Sequence, residues 1–503
     1  MAEYFDVVVV GAGISGIGAG VHLQRECPDR TFVVLEGRED LGGTWDLFRY
    51  PGVRSDSDMH TLGYSFKPWL HEKSIADGSS ILAYLRETAA EFHVTQHIRF
   101  QHMVTSASWS SETARWTVTV RGHDPIECNF LFMCSGYYSY KGGYTPDFPG
   151  RDLFQGHVVH PQDWPEDLDY QGKRVVIVGS GATAMTLVPA MATAAAHVTM
   201  LQRSATYVLA RPDRDVIANK LRRILPEKTA YKIVRRKNIM LGSFFYSRTR
   251  KAPERVKSRL LKWTSAAIGP DLTRDHFTPT YNPWDQRLCL IPNGDLYKAI
   301  RSGTASVVTD HIDTFTETGI QLQSGAHLDA DIIVTATGLQ LVTVGDMDIS
   351  VDGEPVDFSA TWTYRGLGYS NVPNMVSSFG YINASWTLRS DLIGRFVCRL
   401  LNHMTATGTP QCTPRLRLSD HDMPARPYIV DFSSGYMQRM MPLLPKQGDR
   451  DPWRNLQVFA ADQKFINAPV DDGVMQFTVA SREGSHERGQ TPIASYQAEP
   501  YTS

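Results

Sequence analysis

Two glycine-rich motifs, each placed directly after a run of β-branched residues, constrain the fold of this chain most strongly. The first motif, GAGISG, puts Gly11, Gly13 and Gly16 after the apolar run 4–10, and a second apolar run ends at Glu36. In a βαβ unit the first glycine permits a tight turn, the second admits a diphosphate to the backbone, and the third lets helix and strand pack closely. Glu36 stands twenty residues after Gly16, where a carboxylate accepts hydrogen bonds from ribose hydroxyls. We predict an α/β fold whose first unit binds a dinucleotide with an unphosphorylated ribose; the alternative is a glycine-rich turn of another α/β sheet.

The second motif, RVVIVGSGATA, has Gly179 and Gly181, with Ala184 in the place of the third glycine, which the pattern allows. The strand that follows ends at Gln202, and Arg203 stands where an acid would bind a ribose 2′-hydroxyl. A guanidinium suits a 2′-phosphate instead, although an exposed arginine without a ligand is the alternative. FAD at the first site and NADPH at the second fit this difference. We therefore predict two dinucleotide-binding domains.

Two dinucleotide sites in one chain imply electron transfer between two cofactors. A dithiol is one acceptor for the electrons of a reduced flavin, but the segment 42–69 after the first unit contains no cysteine. Molecular oxygen is another acceptor, and it forms a flavin C4a-peroxide that passes one oxygen atom to a substrate. Such an adduct requires a dry pocket and a cation that stabilises its negative charge.

Length and composition agree with a multidomain enzyme. A chain of 503 residues predicts roughly two to four domains. The net charge of −2 does not favour nucleic acid, and the six scattered cysteines form no CxxC pair, which argues against a disulfide framework and a zinc site. We find neither a cleavable leader pattern nor an apolar run of bilayer length, so we expect a cytoplasmic enzyme.

Two segments resemble a known family. GGTWDLFRYPGVRSDSD, at 42–58, resembles the flavin-binding segment of the class B flavoprotein monooxygenases. Phe154, Gly156, His160 and Trp164, the last followed by proline, match the fingerprint of the Baeyer–Villiger monooxygenases in that class. The related N- and S-oxidising enzymes usually have Tyr or Phe where Trp164 stands. The similarity covers nearly all of the chain, through SGATAMTL, YNPWDQRLC, PNGDL and NASWTL.

The resemblance implies roles for particular residues. Arg287, in NPWDQRL, matches the catalytic arginine of the family, and Asp56 matches the acid that positions it near the flavin. His160 and Trp164 match residues that control the connection between the FAD and NADPH domains, and a general-base role for His160 is the weaker alternative. Many family members have lysine where Gln286 stands, so we expect Arg203 to be more important for binding the 2′-phosphate.

The remaining predicted contacts follow from the same motifs. The FAD contacts are Gly11, Gly13, Ser15, Gly16, Glu36, Gly43, Thr44, Trp45 and Asp56. The NADPH contacts are Gly179, Gly181, Ala182, Thr183, Arg203 and Ser204.

The predicted domains interleave along the chain. We expect an FAD-binding domain at 1–145 and 331–475, an NADPH-binding domain at 146–210 and 281–330, a helical insert at 211–280 and a polar tail at 476–503. Within the insert, Lys220 to Lys262 hold fifteen Lys or Arg and two acids, with apolar residues recurring between them, which predicts two or three amphipathic helices. In the resembled family such an insert shapes the substrate entrance. Contact with an anionic membrane surface is the alternative, and no nucleic-acid reader motif accompanies the charge.

The resemblance implies a Baeyer–Villiger monooxygenase that converts ketones to esters with NADPH and O2, and that oxygenates sulfides and thioamides as a side activity. An N- or S-oxidising flavin monooxygenase is the first alternative. A non-catalytic flavoprotein that acts as a redox sensor or membrane binder is the second.

Overall fold

The computed structural model describes residues 2–286, 288–430 and 432–479. In chain order its strands are β1 Glu3–Val10, β2 Phe32–Leu35, β3 Ile98–Arg99, β4 Val104–Ser110, β5 Arg115–Val120, β6 Ile126–Met133, β7 Tyr138–Gly143, β8 His157–Val159, β9 Arg174–Val178, β10 His197–Gln202, β11 Val208–Arg211, β12 Cys289–Pro292, β13 Ala305–Thr309, β14 Ile312–Thr316, β15 Gly319–Leu322, β16 His327–Asp329, β17 Ile332–Thr335, β18 Leu339–Leu341, β19 Asp348–Val351, β20 Glu354–Pro355, β21 Thr363–Tyr364, β22 Gly368–Tyr369, β23 Met375–Ser377, β24 Gln411–Pro414 and β25 Met475–Thr478.

The α-helices are α1 Ile14–Glu26, α2 Thr44–Leu47, α3 Met59–Leu62, α4 Gly78–Glu91, α5 Ala182–Met191, α6 Val216–Ile224, α7 Glu227–Lys251, α8 Pro253–Ile268, α9 Pro270–His276, α10 Asp295–Arg301, α11 Thr387–Thr407, α12 Gly435–Met440 and α13 Phe459–Ile466.

A nine-stranded sheet forms the centre of the first domain. Its strand order is β20-β19-β4-β5-β6-β1-β2-β3, and β23 also pairs with β6. Strand β1 pairs in parallel with both β2 and β6, and its last four residues, Val7 to Val10, are buried. Helices α1 and α11 pack together against one face. A strand that is buried on both faces has a continuous run of β-branched residues in its sequence. This is why the sequence predicts β1 clearly.

A five-stranded parallel sheet, β13-β10-β9-β17-β8, forms the centre of the second domain. Together the two sheets confirm the predicted α/β fold with two dinucleotide-binding units. One predicted boundary differs. Residues from 331 onward were assigned to the first domain, but β17 (Ile332–Thr335) lies inside the second sheet, between β9 and β8. The segment is a buried apolar strand that ends in small residues. This pattern is typical of strands in both sheets, so the sequence does not distinguish between them.

The basic insert, residues 211–280, is connected to the second domain by two neighbouring strands, one before it and one after it. Strand β11 precedes the insert and pairs in parallel with β12, which follows it. Helices α6 to α9 lie between these strands. The stretch 220–262, for which the sequence predicts two or three amphipathic helices, contains parts of three helices, α6 to α8. Helix α7 also contacts α3 of the first domain.

The two domains are joined by a paired linker, which consists of β7 and β18. These strands run antiparallel, with Leu339 opposite Gly143 and Leu341 opposite Tyr138. Chain segments that pass between the domains in opposite directions are therefore held to each other by backbone hydrogen bonds.

The C-terminal boundary also differs from the prediction. The polar tail was expected from residue 476, but 476–478 belong to β25, which pairs with β24. Residues 480–503 lie outside the described part of the chain. Among the described residues, no helix has the length and apolar character that crossing a bilayer requires.

Candidate active site

The first glycine turn is packed so closely that two of its glycines cannot carry a side chain. Gly11 has a φ of +99°, and a Cβ added to it would lie 2.7 Å from the carbonyl oxygen of Cys134. A Cβ on Gly16 would lie 1.8 Å from the carbonyl oxygen of Gly11. These contacts bring the start of α1 against the ends of β1 and β6.

The same turn presents a site for a diphosphate. Helix α1 begins after Gly13 without a side-chain cap, so its first N–H groups remain available as donors. Gly43, at a φ of +55°, lies opposite: a Cβ on it would lie 3.1 Å from the α-carbon of Gly13. The two glycine backbones approach each other at the helix N-terminus, where an anion is favoured. This cradle fits the diphosphate of FAD.

Glu36 follows β2 directly and is held at the glycine turn. One carboxylate oxygen accepts a hydrogen bond from the backbone N–H of Ala12 at 2.7 Å, and the other accepts from Arg38 N–H at 3.0 Å. Burial raises the pKa of Glu36, and these two hydrogen bonds oppose that shift. A carboxylate oxygen accepts more than one hydrogen bond, so Glu36 can also receive a ribose hydroxyl.

The other predicted FAD contacts lie around this cradle. Ser15 is buried in α1, and its hydroxyl accepts a hydrogen bond from the indole Nε1 of Trp386 at 2.7 Å. Thr44 is the first residue of α2, and Trp45 is half-buried against the core of the first domain. We did not predict Trp386 from the sequence, although it lies in the matched segment NASWTL.

The second glycine turn is tight on one side and open on the other. Gly179 has a φ of +133°, and a Cβ on it would lie 2.3 Å from the carbonyl oxygen of Ala336. A Cβ on Gly181 would meet no described atom within 4 Å, and α5 starts after Gly181 without a side-chain cap. The open space and the uncapped helix fit the diphosphate of NADPH.

The remaining predicted NADPH residues lie near this turn. Ala182 is the first residue of α5. Thr183 lies close to the side chain of Tyr50, which belongs to the flavin-binding segment of the first domain. Arg203 and Ser204 are exposed directly after β10, and the Ser204 carbonyl accepts a hydrogen bond from the Ser180 hydroxyl at 3.3 Å.

The fingerprint residues lie between the second sheet and the paired linker. His160 donates from Nε2 to the carbonyl oxygen of Gly338 at 3.0 Å, and its Nδ1 accepts from the N–H of Gln162 at 3.1 Å. On the other side, a Cβ on Gly143 would lie 1.7 Å from Cε1 of His160. The imidazole thus contacts both chain segments of the linker at one end, where Gly143 lies opposite Leu339. Burial lowers its pKa.

The other fingerprint residues have packing roles. Phe154 is buried, and a Cβ on Gly156 would lie 2.6 Å from its Cζ and 2.3 Å from the carbonyl oxygen of Asp331. Trp164 is half-buried against the core of the second domain. These contacts fix β8 at the edge of the second sheet, directly before His160.

A cavity of about 950 Å³, here called the insert cavity, lies between the first domain and the basic insert. Asp56 and Asp58, from the flavin-binding segment, line one part of it. The opposite part is lined by apolar side chains of the insert, among them Leu241, Phe244 and Trp263, which are also exposed to solvent. The cavity therefore has acidic residues near the flavin-binding segment and, in its exposed part, apolar side chains beside Arg211, Arg250 and Lys251.

Arg287 lies outside the described residues. Its neighbours Trp284 and Leu288 line the insert cavity. The loop before it is tied to α7 by the ion pair between Arg250 and Asp285, at 2.7 Å.

Two side chains of α7 that we did not predict attach the insert to the first domain. Arg235 is buried, and it donates to the carbonyl oxygens of His60, Thr61 and Gly63 at 2.7–3.1 Å. Asn238 donates to the Asp58 carboxylate at 2.9 Å. The only sequence signal here was that apolar residues recur between basic ones, which predicts an amphipathic helix but not the contacts of these two side chains.

Comparisons with known proteins agree with this geometry. The family described as flavin-binding monooxygenase-like matches residues 5–344. The FAD-containing monooxygenase EthA of Mycobacterium tuberculosis is 51% identical, with 95% of this chain and 98% of that protein covered. The probable FAD-binding monooxygenase AlmA of Acinetobacter baylyi is 47% identical, with 95% and 97% covered.

Solved structures show the same architecture. An oxidised steroid monooxygenase bound to NADP has a TM-score of 0.76 at 25% identity, over 95% of this chain and 100% of that one. An open form of cyclohexanone monooxygenase has a TM-score of 0.71 at 22% identity, over 82% and 90% of the two chains, and shows the shared fold. The resemblance inferred from the motifs is confirmed: the chain belongs to the flavin-binding monooxygenase family and is an oxidoreductase whose cofactors are FAD and NADPH.

Proposed function

We propose that the protein is a Baeyer–Villiger monooxygenase that converts a ketone, O2, NADPH and a proton into an ester, NADP⁺ and water. The observation that carries the proposal is the insert cavity, where Asp56 of the flavin-binding segment and both Trp284 and Leu288, which flank Arg287 in the sequence, line one space. Bound FAD would take hydride from NADPH and activate O2. The chain binds the cofactors, excludes water and stabilises developing negative charge.

Arg287 is assigned the charge-stabilising role. A guanidinium stays protonated in a partly buried site and can donate to an oxyanion, which lowers the energy of charge that develops during oxygen transfer. Asp56 is assigned as the carboxylate that positions this guanidinium and reduces the cost of its desolvation. The role of Arg287 rests on its match to the family motif.

The cavity also indicates a substrate class. Its volume is near the upper end of the range of roughly 300–1,000 Å³ that is typical of small-molecule sites. Leu241, Phe244 and Trp263 line one exposed part of its wall, whereas Asp56, Asp58, Asn238 and Ser385 line other parts. We therefore propose that extended apolar ketones are better substrates than small ones, because only a longer substrate fills both regions. Sulfides and thioamides that fit this space would be oxygenated at sulfur.

Ketone turnover tests the proposal. Purified protein loaded with FAD is incubated with NADPH, O2 and a series of linear 2-ketones of increasing length, an aryl ketone and a sulfide. We expect esters, with kcat/KM that rises with chain length, and a sulfoxide from the sulfide. Sulfoxide without any ester would favour an N- or S-oxidising enzyme instead, and NADPH oxidation that no substrate stimulates would favour a non-catalytic flavoprotein.

We propose anionic membrane lipid as a partner of the basic insert. On α7, Ile233, Met240 and Phe244 are spaced by seven and four residues, so they lie near one line of the helix. They are 46%, 61% and 69% exposed, and Leu241 beside them lines the exposed part of the cavity. Exposed apolar residues with flanking cations are typical of helices that lie in a bilayer interface. Substrate could then enter the cavity from the lipid phase.

Vesicle flotation tests this contact. We expect binding to phosphatidylglycerol vesicles, weaker binding to phosphatidylcholine vesicles, and release as salt rises, because added ions screen the attraction. The double variant Met240→Ser, Phe244→Ser should lose binding. Leu418→Ser, at an apolar residue that is 94% exposed outside the insert, is the control. Equal flotation of both variants would contradict the assignment.

A further inference from the structure

Arg439, on α12, is held in a fixed position at the junction of the two domains. Its guanidinium carbon lies 3.5 Å from the ring centroid of Tyr144, which is stacking distance. Its two terminal nitrogens lie near glycines, since added Cβ atoms on Gly338 and Gly435 would each be 3.6 Å from one of them. The side chain is nevertheless exposed, so a ligand can reach it.

The ring under this guanidinium is that of Tyr144, the residue directly after β7 of the paired linker. The backbone N–H of Tyr144 donates to the carbonyl oxygen of Gly338 at 3.0 Å, and the Thr337 hydroxyl donates to the carbonyl oxygen of Tyr144 at 2.6 Å. Ala336, two residues before Gly338, packs against Gly179 of the second glycine turn. A short, hydrogen-bonded segment therefore connects Arg439 to the predicted diphosphate site of NADPH.

Two other arginines at contacts between segments have a carboxylate partner. Arg54, between the flavin-binding segment and the second domain, pairs with Asp295, and Arg250 pairs with Asp285. Across 2–286, 288–430 and 432–479, no carboxylate pairs with Arg439. A positioned cation that pairs with no carboxylate among these residues, beside a nucleotide-binding turn, is suited to an anionic ligand.

We infer that Arg439 binds the diphosphate of the nicotinamide dinucleotide, from the side opposite to the second glycine turn. The inference rests on the proposed function only in that NADPH binds at that turn. A planar guanidinium donates two parallel hydrogen bonds to phosphate oxygens, which a lysine ammonium cannot do. Because α12 belongs to the C-terminal part of the chain and α5 to the second domain, a dinucleotide held by both would connect these elements through its diphosphate.

The diphosphate assignment makes a prediction that separates Arg439 from Arg203. The diphosphate is common to NADP⁺ and NAD⁺, whereas the 2′-phosphate is present only in NADP⁺. Arg439→Gln should therefore lower the affinity for both dinucleotides by the same factor, about tenfold. Arg203→Gln should lower the affinity for NADP⁺ alone. The probe 2′,5′-ADP, which has no diphosphate, should respond much less to Arg439→Gln than NADP⁺ does.

Calorimetric titration of the FAD-loaded protein with NADP⁺, NAD⁺ and 2′,5′-ADP measures these affinities without turnover. Flavin absorbance and melting temperature verify that each variant is folded, and Arg439→Lys, which keeps the charge, should recover part of the affinity. Wild-type dissociation constants for both dinucleotides in Arg439→Gln would overturn the inference. A loss confined to NADP⁺ would overturn it too, since that pattern belongs to a 2′-phosphate contact. Failure of the wild-type protein to bind NADP⁺ would instead contradict the second dinucleotide site.

Discussion

His160 donates its Nε2 proton to the carbonyl oxygen of Gly338 at 3.0 Å, and this hydrogen bond joins the second sheet to the paired linker. The second ring nitrogen accepts from the N–H of Gln162 at 3.1 Å, so the ring is neutral, with its proton on Nε2. Protonation would turn Nδ1 into a donor that faces another donor. The histidine of the fingerprint is thus suited to positioning the linker rather than to acting as a general base.

Stability should depend on pH through this histidine. Burial lowers the pKa of His160 below its ordinary value of about 6.5, so the unfolded chain takes up the proton at a higher pH than the folded one. The stability that the neutral imidazole contributes to the fold is fully present above about pH 6.5, and it is lost as the pH falls toward the lowered pKa. We expect the melting temperature to fall less between pH 7.5 and pH 5.5 in His160→Gln than in the wild type. Equal slopes would show that this imidazole does not titrate as inferred.

Loss of the same hydrogen bond should disturb coupling between the domains. In His160→Gln we expect FAD to remain bound, because the hydrogen bonds of the imidazole go to Gly338 and Gln162 and not to the first glycine turn, while kcat falls by up to about 100-fold. Hydrogen peroxide formed per NADPH consumed should rise. A control is His123→Gln, at an exposed histidine of the first domain. Unchanged coupling in His160→Gln would refute the linker role.

The second glycine turn offers a matched pair of substitutions. Gly181→Ala places a methyl group where no described atom lies within 4 Å, so the fold should be unaffected, but NADP⁺ affinity should drop roughly tenfold because the methyl occupies ligand space. Gly179→Ala forces a Cβ to within 2.3 Å of a backbone carbonyl at a φ of +133°, so it should lower the melting temperature itself. Thermal melting and calorimetric titration distinguish the two. Normal NADP⁺ affinity in Gly181→Ala would contradict the diphosphate site.

The parts of this fold that could be predicted are those fixed by local sterics. Only glycine fits at positions 11 and 16, because a Cβ added to Gly11 or Gly16 would lie 2.7 Å or 1.8 Å from a carbonyl oxygen. The glycine motif alone therefore predicts the turn. The sheet to which β17 belongs could not be predicted, because its buried apolar run is compatible with either one. The insert cavity could not be predicted either. Its lining comes from segments as distant as Asp56, Asn238 and Phe459, and long-range packing alone brings them together.

Cofactor preference should depend strongly on Arg203. The position before Arg287 is Gln286, where a lysine would add a second cation, so Arg203 is expected to supply most of the 2′-phosphate binding. Arg203→Gln should reduce the ratio of kcat/KM for NADPH over NADH by roughly ten- to a hundredfold, the loss expected when a hydrogen bond to a charged group is removed. Arg121→Gln, at an exposed arginine of the first domain, is the control and should leave the ratio unchanged.

Arg287 and Asp56 should affect oxygen transfer more than flavin reduction. The proposed role of Arg287 is to stabilise negative charge during oxygen transfer, so in Arg287→Ala hydride transfer from NADPH should remain while ester formation falls by about 100- to 1,000-fold. In Asp56→Asn the loss should be smaller, because an amide still accepts a hydrogen bond from a guanidinium. Anaerobic stopped-flow absorbance gives the rate of flavin reduction, and gas chromatography gives the ester. A normal ester yield from Arg287→Ala would refute its assignment, and a loss of flavin reduction in step with ester formation would move the role of Arg287 to NADPH binding.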